Sequence, residues 1–329
     1  MKQFKMRGPS DIEEVLEAVN AEVGKVVVGY GEQVEDFMMC LLTQGHILME
    51  GVPGVAKTTL SKAFTTVCGL SYKRIQFTQD LLPADITGHF FFNQKLGEFE
   101  VRKGPLFADF VLADEINRAP PKTQSALLEA MQERQITIEG STYGLPDTFM
   151  VIATLNPIET EGVYPLPEAQ LDRFMFKSVM DYVSEEDELN IIDLKSRKQE
   201  PMRRVLTAET VKDMRVLYDA MHVDDSVKRY IRDLVVATRN QEALTLGASP
   251  RAGEYLMYAS KAHALLAGKD YVVPDDVKAI VHKVLDHRLI LSIDSELEGV
   301  TVASIVDDTL SKVPVPKTKA DDKAQGSEA

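Results

Sequence analysis

A glycine-rich segment between an apolar strand and a helix constrains this chain more than any other feature. The apolar run from His46 to Gly51 is typical of a buried strand, and Lys57 to Cys68 has the pattern of a helix closed by Gly69. The segment that joins them, GVPGVAKT, matches the phosphate-loop pattern G-x-x-x-x-G-K-[ST] except at Ala56. A second strand, Tyr72 to Thr78, follows, so the sequence predicts a βαβ unit with a phosphate loop at its first turn.

This loop predicts a nucleotide site. Its backbone N–H groups and the helix N-terminus would surround an anion, Lys57 would reach the β- and γ-phosphates, and Thr58 would ligate Mg2+. The alternative, a glycine-rich turn with an incidental lysine, is disfavoured by the flanking strand and helix. Ala56 at a position of positive φ would cost about 1 kcal/mol. The predicted contacts in this loop are Gly51, Pro53, Gly54, Val55, Ala56, Lys57, Thr58 and Thr59.

Strand and helix patterns continue to alternate over the first two hundred residues. A parallel sheet covered by helices on both faces is therefore expected, an α/β fold. Two hairpins, residues 88–101 and 134–145, interrupt the alternation, and from spacing alone they are either edge decoration or functional insertions. Three further strands are predicted at Phe110 to Ala113, Phe149 to Thr154 and Phe174 to Met180.

The pattern becomes helical in the rest of the chain. We predict an α/β domain over residues 1–200, an all-helical domain over 201–311 and a disordered, proline-bearing tail over 312–329. The helices of the second domain are predicted at Ala208 to Met221, Ser226 to Asn240, Arg251 to Ala267 and Asp275 to Leu285.

Charge and composition exclude several classes of protein. The formal net charge of −14 disfavours a nucleic-acid partner. No stretch resembles a signal peptide or approaches 18 uninterrupted apolar residues, so we expect no transmembrane segment and a cytoplasmic location. Cys40 and Cys68 lie in apolar segments without metal-ligand spacing and are expected to be reduced core residues.

Two carboxylates end the predicted strand FVLA. Asp114 would hold the shell of the magnesium ion, and Glu115 would orient and polarise the attacking water. This is a Walker B pattern. The alternative, two acids that merely start a loop, weakens when a phosphate loop precedes them in the chain.

Three further side chains are candidates. Asn156 follows the strand before it and could hydrogen-bond the water or the γ-phosphate, or simply form an Asn-Pro turn. Arg173 could present its guanidinium to a neighbouring subunit's phosphate, or form a local ion pair with Asp172 or Glu168. Arg251 opens a helix, where a cation is poorly placed against the dipole, which favours a phosphate partner over a surface charge.

These motifs, together with EGVYPLPEAQLDRF and SPRAGEYL, resemble the MoxR family of AAA+ ATPases from about Val27 to Ile290. The resemblance implies ATP and Mg2+ as ligands, sheet order 5-1-4-3-2, a helical lid and assembly of the chain into hexameric rings. Alanine at position 56 is also common in the family. The resemblance implies that Val28 and Gly29 lie on the adenine side of the nucleotide. It also implies that Arg251 is the lid arginine, which acts on the nucleotide of its own subunit (in cis) or of a neighbour (in trans), and that both hairpins face the ring pore.

MoxR proteins resemble chaperones that mature client protein complexes, often beside a partner with a von Willebrand factor A domain. The resemblance thus favours an ATP-driven protein remodeller. The alternatives are a nucleotide-gated assembly scaffold and a motor similar to the chelatases and helicases of the same clade. The net charge of −14 disfavours a nucleic-acid motor. A scaffold that only binds nucleotide is disfavoured by the presence of Glu115, Asn156 and Arg173.

Overall fold

The computed structural model describes residue 4 and residues 6–158, 162–196 and 200–316. The contacts between Cα atoms divide the chain into two units, one formed mainly by Glu14–Asp213 and the other by Met6–Glu13 and the chain from Met214 onward. The first unit extends beyond the predicted boundary at residue 200. The chain just after residue 200 is hydrogen-bonded to the first unit, since the backbone N–H groups of Val205 and Leu206 both donate to the carbonyl of Val67.

The first unit is built on a five-stranded parallel sheet with two separate hairpins. The sheet order is β2-β5-β8-β1-β9, which confirms the order 5-1-4-3-2 implied by the resemblance when the sheet strands are numbered along the chain. Central strands β5 and β8 are almost entirely buried, as apolar strands of a parallel sheet should be. The strands are β1 (Ile47–Gly51), β2 (Tyr72–Gln76), β3 (Gly88–Asn93), β4 (Glu98–Lys103), β5 (Phe110–Asp114), β6 (Gln135–Ile138), β7 (Ser141–Gly144), β8 (Met150–Leu155) and β9 (Phe176–Met180).

Helices flank the sheet, and the helix that follows the phosphate loop lies where the sequence predicts it, at Lys57–Cys68. The short α4 was missed because five residues are too few to show a helical period. Cys40 and Cys68 are free thiols buried in the core, as predicted. The helices that begin in this part of the chain are α1 (Pro9–Val23), α2 (Gly31–Thr43), α3 (Lys57–Cys68), α4 (Pro83–Thr87), α5 (Pro121–Glu133), α6 (Glu168–Leu171), α7 (Glu185–Ser196) and α8 (Ala208–Ala220).

The hairpin of β3 and β4 has two different faces. Residues directly opposite each other in an antiparallel pair share a face, so the register places Phe90 with Val101 and Phe92 with Phe99 on one face. Phe90 packs against the core, whereas the Phe92 and Phe99 side chains are 51% and 70% exposed with ring centroids 5.2 Å apart. Phe91 lies on the other face and is 40% exposed. The hairpin therefore carries exposed aromatic rings on both faces.

The second unit is a helical lid with one addition. A short antiparallel pair, β10 (Leu244–Leu246) and β11 (Ile290–Leu291), was not predicted, because two or three residues cannot show alternation. The lid also continues past the predicted end of the domain at residue 311, since Val313 is buried. Residues 317–329 of the predicted tail lie outside the described residues. The remaining helices are α9 (Asp225–Arg239), α10 (Pro250–Leu266), α11 (Pro274–Leu285), α12 (Ile293–Leu297) and α13 (Val302–Lys312).

Among the residues that the structure describes, no helix has the length and apolar character needed to cross a bilayer.

Candidate nucleotide-binding site

The glycine-rich loop leaves the carboxyl end of β1 and runs into α3. Ala56 stands at the N-cap of α3 with φ 61° and ψ 18°, the strained left-handed conformation expected where most phosphate loops have glycine. Gly54 also has positive φ, and a Cβ atom there would meet nothing within 4 Å. At Gly51, by contrast, a Cβ would come within 2.5 Å of the Met180 carbonyl oxygen. Glycine at 51 thus permits the close approach of β9, while Gly54 faces open space.

Lys57 begins α3, and its ammonium group is held by main-chain carbonyls. Its Nζ atom donates to the carbonyl of Gly51 and, at 3.1 Å, to that of Leu155 at the end of β8. A phosphate would give this cation a charge-assisted hydrogen bond, which is stronger than a bond to a neutral carbonyl. The side chain lies within the loop, as the phosphate role requires.

Asp114, the last residue of β5, is the most heavily bonded acid of the site. Its Oδ2 atom accepts from the Arg74 guanidinium (Nε at 2.9 Å, Nη2 at 2.7 Å) and from the Thr58 hydroxyl at 3.2 Å. Its Oδ1 atom accepts from the Thr154 hydroxyl at 2.6 Å. The carboxylate is 6% exposed. The structure therefore brings the two predicted metal ligands, Thr58 and Asp114, together at one edge of the sheet.

Glu115 follows directly, with φ 56° and ψ 52°. Its backbone N–H donates to the hydroxyl of Thr154 at 2.9 Å, so Thr154 holds both acids of the pair. The Oε2 atom of Glu115 accepts from Gln76 at 2.6 Å and from Arg118 at 2.9 Å. A left-handed non-glycine residue is strained, and here the bonds to strands β2 and β8 fix the turn that aims the carboxylate.

Asn156 follows β8 at the same edge and is 6% exposed. Its Oδ1 atom accepts from the backbone N–H of Ile158 at 3.2 Å, so the Asn-Pro turn that was the alternative interpretation is present. The Nδ2 group, however, donates no hydrogen bond to any residue the structure describes. Turn formation and a contact to phosphate are thus compatible, because they use different atoms of the amide.

Arg173 lies at the opposite end of the sheet. Strands β1 and β9 are parallel, with Ile47 beside Phe176 and Gly51 beside Met180. Arg173 precedes the start of β9, whereas the phosphate loop follows the end of β1, and five strand residues span about 16 Å. The guanidinium donates to the carbonyl of Leu128 in α5 at 2.8 Å and lines a cavity of about 300 Å3 with Glu129 and Glu133. Arg173 is therefore not part of its own chain's phosphate loop.

The predicted adenine-side segment lies against the connection between β9 and α7. Gly29 has φ 87°, and a Cβ there would come within 2.7 Å of the Val183 side chain. The adjacent Val28 is half-buried. A cavity of about 540 Å3 opens beside the start of α3, next to the phosphate loop, and neither Val28 nor Gly29 is among its lining residues. It is lined by Val26, Thr58, Thr59, Lys62, Ala63 and Met202, among others.

Arg251 occupies the first turn of α10 in the second unit. Its role toward nucleotide stays a prediction.

The residues of the first unit fit Mg-ATP. The loop offers an open glycine at position 54 and an ammonium group that reaches back to the loop carbonyl of Gly51, and the hydroxyl of Thr58 lies beside the carboxylate of Asp114, which are oxygen donors that Mg2+ prefers. Gly51 ends β1, Pro53 and Val55 lie in the turn that follows, and Thr59 lies in the first turn of α3; their contacts with phosphate stay predictions. Phosphate binding and water activation would thus use residues at the carboxyl ends of β1, β5 and β8.

Sequence reasoning missed Arg74, Gln76 and Thr154. Arg74 and Gln76 are two residues apart in β2 and so share a face, which alternation in the sequence could have shown. That this face meets the two acids depends on β2 lying next to β5, with Gln76 beside Asp114. The pairing of strands is not a local property of the sequence.

The Arg74–Asp114 pair gives the first prediction. Arg74→Ala removes two hydrogen bonds from a buried carboxylate, at a cost of about 1–2 kcal/mol because the guanidinium is half-exposed. The melting temperature of the nucleotide-free protein should fall by roughly 2–8 °C. With Mg2+ and an ATP analogue bound, the difference in melting temperature between the variant and wild type should shrink. The metal cation would then balance the negative charge of Asp114 in place of Arg74. Arg74→Lys is the matched control. An equal deficit with and without the metal would show that Arg74 does not substitute for it.

Comparisons with known proteins support the assignment of an ATPase. Residues 46–176 match the model of the ATPase family associated with various cellular activities (AAA), and residues 236–309 match the AAA lid domain. The chain is 44% identical to the uncharacterized protein YeaC of Bacillus subtilis, over 93% of this chain and 96% of that protein. It is 42% identical to Chaperone MoxR1 of Mycobacterium tuberculosis, over 93% and 83% respectively. A crystal structure from Cytophaga hutchinsonii, provisionally described as an ATPase, superposes with a TM-score of 0.87 at 41% identity, covering 94% of this chain and 97% of that one.

Proposed function

The chain belongs to the MoxR family of AAA+ ATPases, and from that premise we propose that it couples Mg2+-dependent ATP hydrolysis to the remodelling or maturation of a client protein complex. The observation that carries the proposal is the Walker B pair. Glu115 is held by Thr154, Gln76 and Arg118, and it directly follows Asp114, which accepts a hydrogen bond from Thr58. A protein that only binds nucleotide needs no carboxylate positioned in this way.

Each residue of the first unit has a distinct task in this proposal. Lys57 and the loop N–H groups bind the phosphates, and Glu115 accepts a proton from the water it orients. Asn156 donates its Nδ2 hydrogen bond to the water or the γ-phosphate. Thr58 and Asp114 hold the metal ion, which supplies charge neutralisation at the phosphates when bound.

The position of Arg173 supports an assembly of several copies. Its own phosphate loop lies about a strand length away, so a contact between Arg173 and phosphate requires a second subunit. We propose that copies of the chain form a closed ring, hexameric as in the family it resembles. A partner with a von Willebrand factor A domain, a trans or cis role for Arg251 and a cytoplasmic location stay predictions.

The exposed rings of the β3–β4 hairpin are the proposed contact with the client. Phe92 and Phe99 form an aromatic pair in water, which costs solvation unless another surface covers it. The alternative is a nucleic-acid motor, in which the hairpin would contact nucleic acid in place of a client protein. The net charge of −14 continues to weigh against it.

This hairpin gives the second prediction. The Glu115→Gln variant should bind ATP without hydrolysing it and so retain its client proteins in a pull-down. Changing both Phe92 and Phe99 to alanine in this variant should abolish that retention. ATP binding and the melting temperature should stay within a few degrees of the parent, because both rings are exposed. Mass spectrometry of the retained proteins measures the difference.

Tyr182→Ala is the matched control, since its ring is 76% exposed in the same unit but outside the hairpin. It should leave the retained proteins unchanged. If the Phe92 and Phe99 double variant instead melts early and loses ATP binding, these rings are structural and the proposed client contact is wrong.

A further inference from the structure

A second cavity of the first unit, of about 460 Å3, lies at the base of the β3–β4 hairpin, apart from the phosphate loop. Four cationic or potentially cationic side chains line it, and the only acid among its lining residues is Asp85. Asp85 already accepts a hydrogen bond from the Leu82 backbone N–H at 2.9 Å. The four are Lys73, His89, Arg102 and Lys103.

These cations lack acidic partners. Within the described residues, Lys73, His89 and Arg102 make no ion pair and no side-chain hydrogen bond, although the chain as a whole carries 51 acids against 37 bases. The adjacent Arg74, in contrast, is paired with Asp114. In so acidic a protein, a local concentration of unpaired positive charge lining one cavity is a ready site for an anion.

The backbone fixes this arrangement. His89 and Arg102 are directly opposite in the hairpin register and so share a face. Gly88 and Gly104 let the hairpin close tightly, since a Cβ on either would come within 2.3 Å of a carbonyl oxygen. Lys103 is positioned by aromatic rings, with its Nζ 4.9 Å from the Phe107 ring centroid. The cavity is therefore built on rigid elements.

We propose that this cavity binds the carboxylates of an acidic segment in the client polypeptide. This rests on the proposed function for the identity of the bound chain as a client. Phe91 lies on the same face as His89 and Arg102, two residues after His89 in β3, and is 40% exposed. A client segment whose carboxylates bind in the cavity could therefore place an apolar side chain against the Phe91 ring. A carboxylate suits Lys73 and Arg102 because charge-assisted hydrogen bonds are the strong ones. A nucleic acid would extend its charge beyond the cavity onto a protein of net charge −14.

The test is equilibrium binding to the full-length, nucleotide-free protein at low salt. The probe is a fluorescent 12-residue peptide with one phenylalanine and five glutamates among serines, and its matched probe replaces every glutamate with glutamine. The acidic peptide should bind wild type at least about tenfold more tightly, and the Lys73→Glu/Arg102→Glu variant should lose that preference. Tenfold corresponds to about 1.4 kcal/mol. Lys95→Glu, on the turn of the same hairpin and outside the cavity, is the control and should shift affinity less than twofold.

Several results would overturn the inference. One is equal affinity for the acidic and the glutamine peptide, and another is a loss of the preference in Lys95→Glu as large as in the double variant. Displacement of the acidic peptide by millimolar inorganic phosphate would also overturn it, as would tighter binding of a 20-mer of deoxythymidine that the double variant abolishes. Lys73→Gln/Arg102→Gln repeats the test without charge reversal if the first variant fails to fold. Because the assay needs no ATP hydrolysis, a chain without turnover that still discriminates the peptides would contradict the proposed function and leave this site standing.

Discussion

Arg173→Ala should lower the rate of ATP hydrolysis by about 10³–10⁵, the usual worth of an arginine that stabilises the transferred phosphoryl group. A local ion pair at the surface is worth only about 0–1 kcal/mol, so the two interpretations of this residue differ by orders of magnitude. The structure sharpens the prediction, because Arg173 precedes the start of β9 and the phosphate loop follows the end of β1. Its action on phosphate must therefore cross a subunit boundary.

Mixing two inactive variants tests that action. Rings formed from Arg173→Ala subunits and Lys57→Ala subunits contain some interfaces at which an intact phosphate loop faces an intact Arg173. Part of the ATPase activity should return in proportion to those interfaces. If native mass spectrometry confirms mixed rings and rings with a single mutant subunit among wild type are active, yet the two variants restore nothing, Arg173 does not act in trans.

Arg173→Lys is the matched control for charge alone. Lysine keeps the cation but loses the planar fork that binds two phosphoryl oxygens. Its activity should fall between wild type and alanine. Full activity in the lysine variant would show that only a positive charge is needed at this position.

Glu115→Gln should keep the affinity for ATP and lose about 10²–10⁴ in the rate of hydrolysis. The amide preserves the shape of the side chain and can still bond Gln76 or Arg118, but it cannot accept the proton of the attacking water. The backbone N–H bond from Glu115 to Thr154 is also unchanged. Loss of turnover would therefore report the chemistry of the carboxylate and not a collapse of the turn.

Thr154→Val is a useful comparison, because it removes the hydroxyl that donates to Asp114 and accepts from Glu115. This change should reduce both stability and turnover. Glu115→Gln should reduce turnover but not stability. The two variants together therefore separate the positioning of the acids by Thr154 from proton transfer to Glu115.

The elements that sequence reasoning recovered have local causes. Apolar runs such as Phe110 to Ala113 are buried on both faces, so their pattern alone predicts a central parallel strand. The phosphate loop is likewise local, since its turn, its helix start and the strained Ala56 follow one another in the chain. For these parts, the sequence already contains the physical information that fixes the conformation.

The contacts that sequence reasoning missed depend on which strands are neighbours. Arg74 reaches Asp114 only because β2 lies beside β5, and Thr154 joins the two acids only because β8 lies on the other side of β5. The lid strands β10 and β11 are too short to show a period, and their pairing comes from tertiary structure. The end of the first unit near Asp213 reflects hydrogen bonds to Val67, which composition does not reveal.

The central claim is that this chain binds Mg-ATP at its phosphate loop and that Glu115 activates water for hydrolysis. The most direct measurement follows bound ATP and released phosphate in the same single-turnover sample, for wild type and Glu115→Gln. We expect equal ATP binding in both proteins, with phosphate release in the variant slower by at least about 100-fold. Phosphate release at the wild-type rate from ATP-loaded Glu115→Gln would contradict it.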